Sequence, residues 1–425
     1  SPHFPQEVVM CVKNKFLSRL DLFSFLLLLV LAVSGTITAQ EIDYAKRELS
    51  APPQVKQKLT DLRTKIQQRK LNYTIGYTTA LDLPIKQLTG LKIPKNLRSL
   101  VIQQNTRAKQ MLNADEVLRL DYEKRAGVRA HDFILSASPY LTVFDWRKFG
   151  IVTRVQNQGG CGSCWDFGAL AAYESSYQKR NGEKWDLSEQ EILDCAKVGS
   201  CDGGWHTSVF DYMIPKGTLL ESNYSPYIAA TNPNCGLAPG YASNFQVAAW
   251  GNVTDEAIPG TTAMRMPTVA ELKNALVQYG PIAVGLWVTD DFQAYTGGVF
   301  EEWRAPGAVV DGLTVQSDGS LMGPYEGQTV YAANHIVLLV GWDDSKGAWL
   351  IKNSWGTGWG EKAGFGTERG YAWIKYKADS IGDYAAWVMA AKKEWYKPQI
   401  NTPIRKIEPL IKPKPNEIKR PILKP

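Results

Sequence analysis

The stretch Gln158-Gly159-Gly160-Cys161-Gly162-Ser163-Cys164-Trp165 brings a thiol to the point where a glycine loop turns into a helix. Residues 165–180 are rich in alanine and aromatics, and Asn181-Gly182 reads as a stop, so Cys164 is expected at a helix N-terminus. Unpaired N–H groups and the positive end of the helix dipole lower the pKa of a thiol placed there. The backbone N–H of Cys164 and the side-chain amide of Gln158 can converge on a developing oxyanion. A thiolate nucleophile also needs a base and a group that orients it. The four histidines are His3, His131, His206 and His335. His335 opens the apolar run HIVLLVGW, and Asn353 begins Asn-Ser-Trp-Gly after the next such run. On adjacent strands the Asn353 amide would lie beside the imidazole, with Trp355 as a shield. A Cys–His pair held in this way is expected to be thiolate–imidazolium, ready for acyl transfer. His206 lacks an Asn-Trp block and reads as a pocket wall, while His131 reads as solvated.

The elements that must position these groups follow from texture and charge. The chain has 425 residues, 44% apolar and 21% charged, enough for two or three folding units. Its net charge of +6 is too mild to imply nucleic acid by itself. Residues 1–39 read as a cleavable secretory signal with upstream residues: Lys13, Lys15 and Arg19 precede the apolar run 22–33. Residues 40–139 form a helical, basic segment with 18 basic and 10 acidic groups. Its helices are expected over 54–70 and 105–125, with a short strand in 72–82 between them. Residues 140–396 carry 19 basic and 28 acidic groups, so a basic segment precedes an acidic one. Ser188/Glu191 and Thr268/Glu271 read as capping boxes. Strands are expected over 282–288, 335–342, 348–352 and 371–376. A helix-rich first half and a strand-rich second half imply two subdomains with a cleft between them. Residues 397–425, with 7 prolines and 8 basic groups, read as an extended exposed tail.

The motifs together resemble the papain-family (cathepsin-like) cysteine proteases. They run in order: Phe144-Asp-Trp-Arg147, QNQGGCGSCW, Leu187-Ser-Glu-Gln-Glu191 with Asp194-Cys195, Cys201-Asp-Gly-Gly204, Asn223-Tyr-Ser-Pro-Tyr227, Gly280-Pro281, Tyr295-Thr-Gly-Gly-Val299, Asn334-His335 and Lys352-Asn-Ser-Trp-Gly-Thr-Gly-Trp-Gly360. The resemblance implies an α+β, papain-like two-lobe fold, with a helical left lobe, a β-barrel-like right lobe and a helical N-terminal propeptide over 40–139. It implies Cys164 as nucleophile, His335 as base then acid, Asn353 as its orienter and Gln158 as oxyanion donor. Gly203 and Gly204 would bind an extended substrate backbone, with Trp205, His206, Ile336, Asn334 and Trp355 lining the substrate site. It also implies the disulfides Cys161–Cys201 and Cys195–Cys235. From the cysteine count alone, the five cysteines left after the signal give one free thiol and three possible pairings. The expected protein is thus a secreted cysteine endopeptidase made as an inhibited zymogen, in an extracellular, lysosome-like or periplasmic oxidising compartment. It needs no cofactor and no metal. Its partners are peptide or protein substrates and its own propeptide. Docking of the basic propeptide on the acidic body is expected to weaken in acid. The tail could meet an anionic surface or a proline-binding module.

Three features depart from that pattern. Asp166 follows Trp165, where its charge would oppose ionisation of Cys164. The Cys164–His335 interval is lengthened by residues 301–329, which read as a loop. The propeptide has no clear copy of the family's long-helix pattern. Rival readings are a thiol–disulfide oxidoreductase using Cys161 and Cys164, a zinc site on Cys161, Cys164, Cys195 and Cys201, and a non-catalytic binding protein on the same fold.

Overall fold

The computed structural model describes residues 42–130, 137–237, 243–258, 263–302, 307, 309–310, 313–316, 321–325 and 328–395. Ser1–Asp43 groups apart from the unit that begins at Tyr44. The signal expected at 1–39, the tail at 397–425 and His131 lie outside the described residues. Within them no helix is long and apolar enough to cross a membrane.

The segment before the cysteine loop, called the leader below, opens with a short helix, Tyr44–Leu49. A second helix, Pro53–Arg69, follows, with proline in its first turn, where the missing N–H costs nothing. Strand β1 (Tyr73–Ile75) and a helical turn (Ile85–Leu88) lead into an extended stretch. A 30-residue helix, Leu97–Ala126, closes the leader and stops at Gly127, whose φ of 68° suits glycine. This helix starts eight residues before the expected 105. The body then supplies β2 (Val143–Asp145), the cysteine helix (Cys164–Asn181), the hairpin β3 (Gly199–Ser200) and β4 (Gly203–Gly204), and β5 (Val247–Asn252). Strands β6 (Ile282–Leu286) and β7 (Tyr295–Phe300) come next. The last long strands are β12 (His335–Asp343), β13 (Ala348–Lys352), β14 (Tyr371–Lys375) and β15 (Asp383–Ala390).

Between β7 and β12 the expected loop is a sheet of its own. Strands β8 (Val309–Val310), β9 (Leu313–Val315), β10 (Leu321–Tyr325) and β11 (Gln328–Tyr331) pair antiparallel in the order β11-β10-β9-β8. Its valines and threonines favour strand.

The main sheet has the order β1-β7-β14-β13-β12-β6-β15-β5, with β2 added on β12. The barrel-like right lobe that the resemblance implied is therefore corrected to an open sheet: no pairing joins β1 to β5 among the described residues. Leader residues cover both ends instead. β1 pairs antiparallel with β7, and side chains of the 97–126 helix bond to β5. The cysteine helix is buried along nearly its whole length and packs on β12 and β15. Gly168 allows that approach: a Cβ there would lie 2.3 Å from Ile336 Cγ2.

Candidate active site

Cys164 begins its helix, fully buried, and is the one free cysteine among the described residues. Disulfides join Cys161 to Cys201 and Cys195 to Cys235. Both cysteine-based rivals fail on that chemistry. Cys161 is bonded to Cys201 rather than held with Cys164 as a dithiol, and three of the four thiols of the zinc set are consumed.

β12 brings the base alongside. Ile336, directly after His335, gives its backbone N–H to the Cys164 sulfur. His335 Nε2 donates to Asn353 Oδ1 at 2.8 Å, and that oxygen also accepts the Ser354 N–H at 2.8 Å. The tautomer with hydrogen on Nε2 leaves Nδ1 as the basic nitrogen, and Nδ1 is buried without a hydrogen-bond partner. Trp355 lies against the imidazole, with ring centres 5.0 Å apart, and keeps water from the His–Asn bond. The β12–β13 hairpin sets this spacing, since Leu338 pairs with Lys352, the residue before Asn353.

Gln158 is buried and its amide is fixed. Ser354 Oγ donates to Oε1 at 2.7 Å, which turns Nε2 toward the Leu88 carbonyl (3.2 Å) and the Cys161 carbonyl (2.9 Å). Tyr227 ties the loop down, with its hydroxyl 2.7 Å from Ser163 Oγ and donating to the Gln158 carbonyl at 3.0 Å. Neither Ser354 nor Tyr227 was singled out from sequence. The only signal for them was that each lies within a motif of the resemblance.

The leader runs straight across these groups. The Leu88 carbonyl takes bonds from Gln158 Nε2 and Trp355 Nε1, each at 3.2 Å. Gly90 and Leu91 donate to the Asn334 carbonyl, at 3.0 and 3.1 Å. The Gly204 N–H donates to the Gly90 carbonyl and the Lys92 N–H to the Gly204 carbonyl, both at 2.9 Å. Leu91 thus pairs parallel with Gly204. Fit is tight, because a Cβ on Gly90 would stand 1.8 Å from the Gly162 carbonyl oxygen, and one on Gly203 would stand 2.4 Å from the Gly90 carbonyl oxygen. The group the leader presents to the sulfur is the Gly90 N–H, which offers no carbonyl carbon to attack.

That cover changes the electrostatics. Burial pushes the Cys164 thiol up to about 12, against smaller opposing hydrogen bonds from Ile336 and Gly90. Burial likewise pulls His335 down to about 4, against the bond to Asn353. In the covered state the pair is neutral, not the ion pair expected for the bare site, because the low-dielectric cover disfavours both charges.

The remaining expected site residues divide. Trp205 packs against leader residue Ile93 and against Leu97, Val101 and Met264. His206 is buried and its Nε2 donates to the Tyr384 carbonyl at 3.0 Å. Burial drops its pKa to about 3, so it stays neutral. Asn334 contributes its backbone carbonyl, since its side chain is spent on Val288, at 2.7 and 3.2 Å. Ile336 is turned from the cleft onto Gly168, as alternation along a strand requires once His335 faces Trp355. Asp166 is fully buried with both carboxylate oxygens unpartnered. Burial first, then Glu189, Glu191 and Asp194, raise its pKa far above the usual carboxyl range. The charge expected beside the thiol is therefore absent.

The profile described as "Papain family cysteine protease" matches residues 141–382, more than half of the chain. The chain belongs to the papain family of cysteine proteases. It is 31% identical over 245 residues to pro-cathepsin H of Mus musculus, covering 56% of this chain and 63% of that one. It is 30% identical over 298 residues to fruit bromelain of Ananas comosus, covering 68% and 66%. The chain thus spans less than two thirds of the length of either relative. Among solved structures it is similar to the procathepsin L2 proteinase of the Tenebrio molitor larval midgut, with a TM-score of 0.55, 24% identity and coverage of 87% and 99%. At that identity the likeness speaks for the papain-like fold alone.

Proposed function

We propose that this chain is the zymogen of a secreted cysteine endopeptidase. With the leader cleared from the cleft, Cys164 gives its proton to His335 Nδ1, and the sulfur attacks a peptide carbonyl carbon. The oxyanion is met by the Cys164 N–H and Gln158 Nε2. Collapse breaks the C–N bond, His335 protonates the leaving amine, and a thioester on Cys164 remains. Water, deprotonated by His335, then hydrolyses the thioester. Asn353 keeps the imidazole turned and Trp355 keeps it dry.

The observation that carries this reading is the 2.8 Å His335–Asn353 bond, made by the residue whose neighbour Ile336 gives its N–H to the free thiol of Cys164. The leader's path supports the substrate class. An extended chain already lies on Gly204 and reaches past the sulfur to Gln158 and Trp355, so the groove takes backbone on both sides of the attack point, as an endopeptidase requires. The two disulfides suit an oxidising compartment, and with residues 1–39 they support secretion. Leader removal is read as cleavage between 130 and 144. A peptidyl epoxide offered to the acid-activated protein should alkylate Cys164 and abolish hydrolysis of a peptide library. Full activity in Cys164→Ala would end the proposal.

A further inference from the structure

The leader helix 97–126 is attached to the body unlike the rest of the leader. Gln104 Nε2 donates to the Trp250 carbonyl at 2.7 Å. The Asn105 carboxamide accepts the Asn252 N–H at 2.8 Å and donates to the Asn252 carbonyl at 3.1 Å. Among the described residues β5 ends the sheet and pairs with β15 alone, so these side chains satisfy edge groups that no described strand reaches. A bared edge is a row of unpaired donors and acceptors. Contact there is close, since a Cβ on Gly251 would lie 3.2 Å from Ala108 Cβ. Further along, Asp115 accepts two bonds from Arg180, at 2.8 and 3.4 Å, with both side chains more than nine-tenths buried. Arg180 stands near the far end of the helix that begins with Cys164, so this contact belongs to the element that carries the nucleophile.

We propose that this helix is a lasting subunit of the working enzyme: after the leader is cut on both sides of it, residues 97–126 stay bound along β5 and the cysteine helix while residues 44–94 depart. The surface of β5 and Arg180 is thus an interface whose partner is a cleaved segment of the same chain. Each cut is an ordinary hydrolysis that consumes one water. Suitable bonds flank the helix, because Lys95, Asn96 and residues 127–129 are exposed. The inference takes from the zymogen reading only that the leader is cut. Retention itself is a property of the interface.

The test therefore uses a full-length Cys164→Ala chain, unable to cut itself, with recognition sites for an unrelated protease inserted between Lys95 and Asn96 and after Gly127. After digestion at neutral pH, the 97–126 peptide is expected to elute with the body on gel filtration and to separate only under denaturing conditions. Asp115→Ala in the same chain should weaken retention by about a hundredfold or more, since it removes the carboxylate that neutralises a buried guanidinium. A helix peptide that elutes alone beside a folded body overturns the proposal. Should the inserted sites prevent folding, hydrogen exchange on the unaltered protein at pH 5 gives the same reading. Amides of 97–126 should stay protected while those of 44–75 exchange, and equally fast exchange of the two overturns it. A protein that retains the helix but cuts no peptide would sink the peptidase reading and leave this one standing.

Discussion

The two arms of the leader, 44–75 and 97–126, come from one basic segment yet hold the body by different physics. In the first arm the main helix buries only Leu59. With Tyr73 and Ile75 joining Leu59 in the core, the arm docks further through the short β1–β7 pairing and through cation–carboxylate contacts: Lys58 with Asp290, and Lys65 with Asp291 and Glu302. Burial alone would lower the Lys65 pKa, but the bonds to Asp291 and Glu302 outweigh it and raise it. The second arm buries Leu97, Val101, Gln104, Ala108 and Asp115. Its deepest charge contact reverses the overall polarity, with the leader giving the acid and the body the base. The net charge of a segment thus foretells attraction in general; burial decides which contacts survive a change of pH or salt.

The largest expected effect is that of pH on the crossing between the arms. His335 sits near 4 under the leader, whereas a freely hydrated imidazole titrates near 6.5. In a Cys164→Ser body, where no thiol passes its proton to the imidazole, the uncovered site binds more protons than the covered one between those values, so acid favours uncovering. The gain is absent above the ordinary value, grows tenfold per pH unit below it, and is complete below about 4, roughly 300-fold in all. Binding of a 44–94 peptide to that variant should weaken on that slope, and a flat profile from pH 7 to 4 would break the scheme. Gly90→Ala comes next. Its methyl group has no space against the Gly162 carbonyl, so the same peptide should inhibit about a hundredfold less well. Equal inhibition would show that the crossing is slack.

How far the sequence foretold this picture depends on the range over which each feature acts. His335 and Asn353 were legible because a hairpin brings them together and each opens or closes an apolar run. The cysteine helix was legible from a glycine loop, an apolar stretch and Asn181-Gly182. Asp115 was not, since a carboxylate in a highly charged stretch looks solvated, and its partner Arg180 lies far along the chain. The start of the long helix was hidden too: Asn96 makes no side-chain cap, leaving only Leu97 and Val101 to mark the first turns. The capping box at Ser188 was half right. Ser188 Oγ accepts the Glu191 N–H at 3.1 Å, but the Glu191 carboxylate is drawn away to Tyr212, at 2.6 Å, and to Thr218. Asp166 was misread because burial, which no local pattern reveals, removes its charge. Asp166→Asn should accordingly leave the alkylation pH profile of Cys164 where it is, and an acid shift would restore the charged reading.

Returning to the arms, Lys65→Ala sharpens the contrast. Half-buried contacts to two carboxylates should be worth about tenfold in the affinity of the 44–94 peptide at low salt, and much less at high salt. A loss that ignores salt would mean that packing of the lysine stem, not charge, holds this arm.

The smallest effect belongs to the second arm. Arg107 pairs with Asp211 at 3.0 Å, but both side chains are about half exposed, so water and salt screen the attraction. Asp211 Oδ1 also accepts the Trp250 Nε1–H at 3.1 Å, which keeps the acid in place without the arginine. Arg107→Ala should therefore change retention of the 97–126 helix by less than about threefold, while Asp115→Ala on the same helix releases it. The two residues carry opposite charges and lie about two turns apart, so a comparison of their effects isolates burial from charge. If Arg107→Ala released the helix as readily as Asp115→Ala, the second arm would be held as the first is, and the contrast between them would be gone.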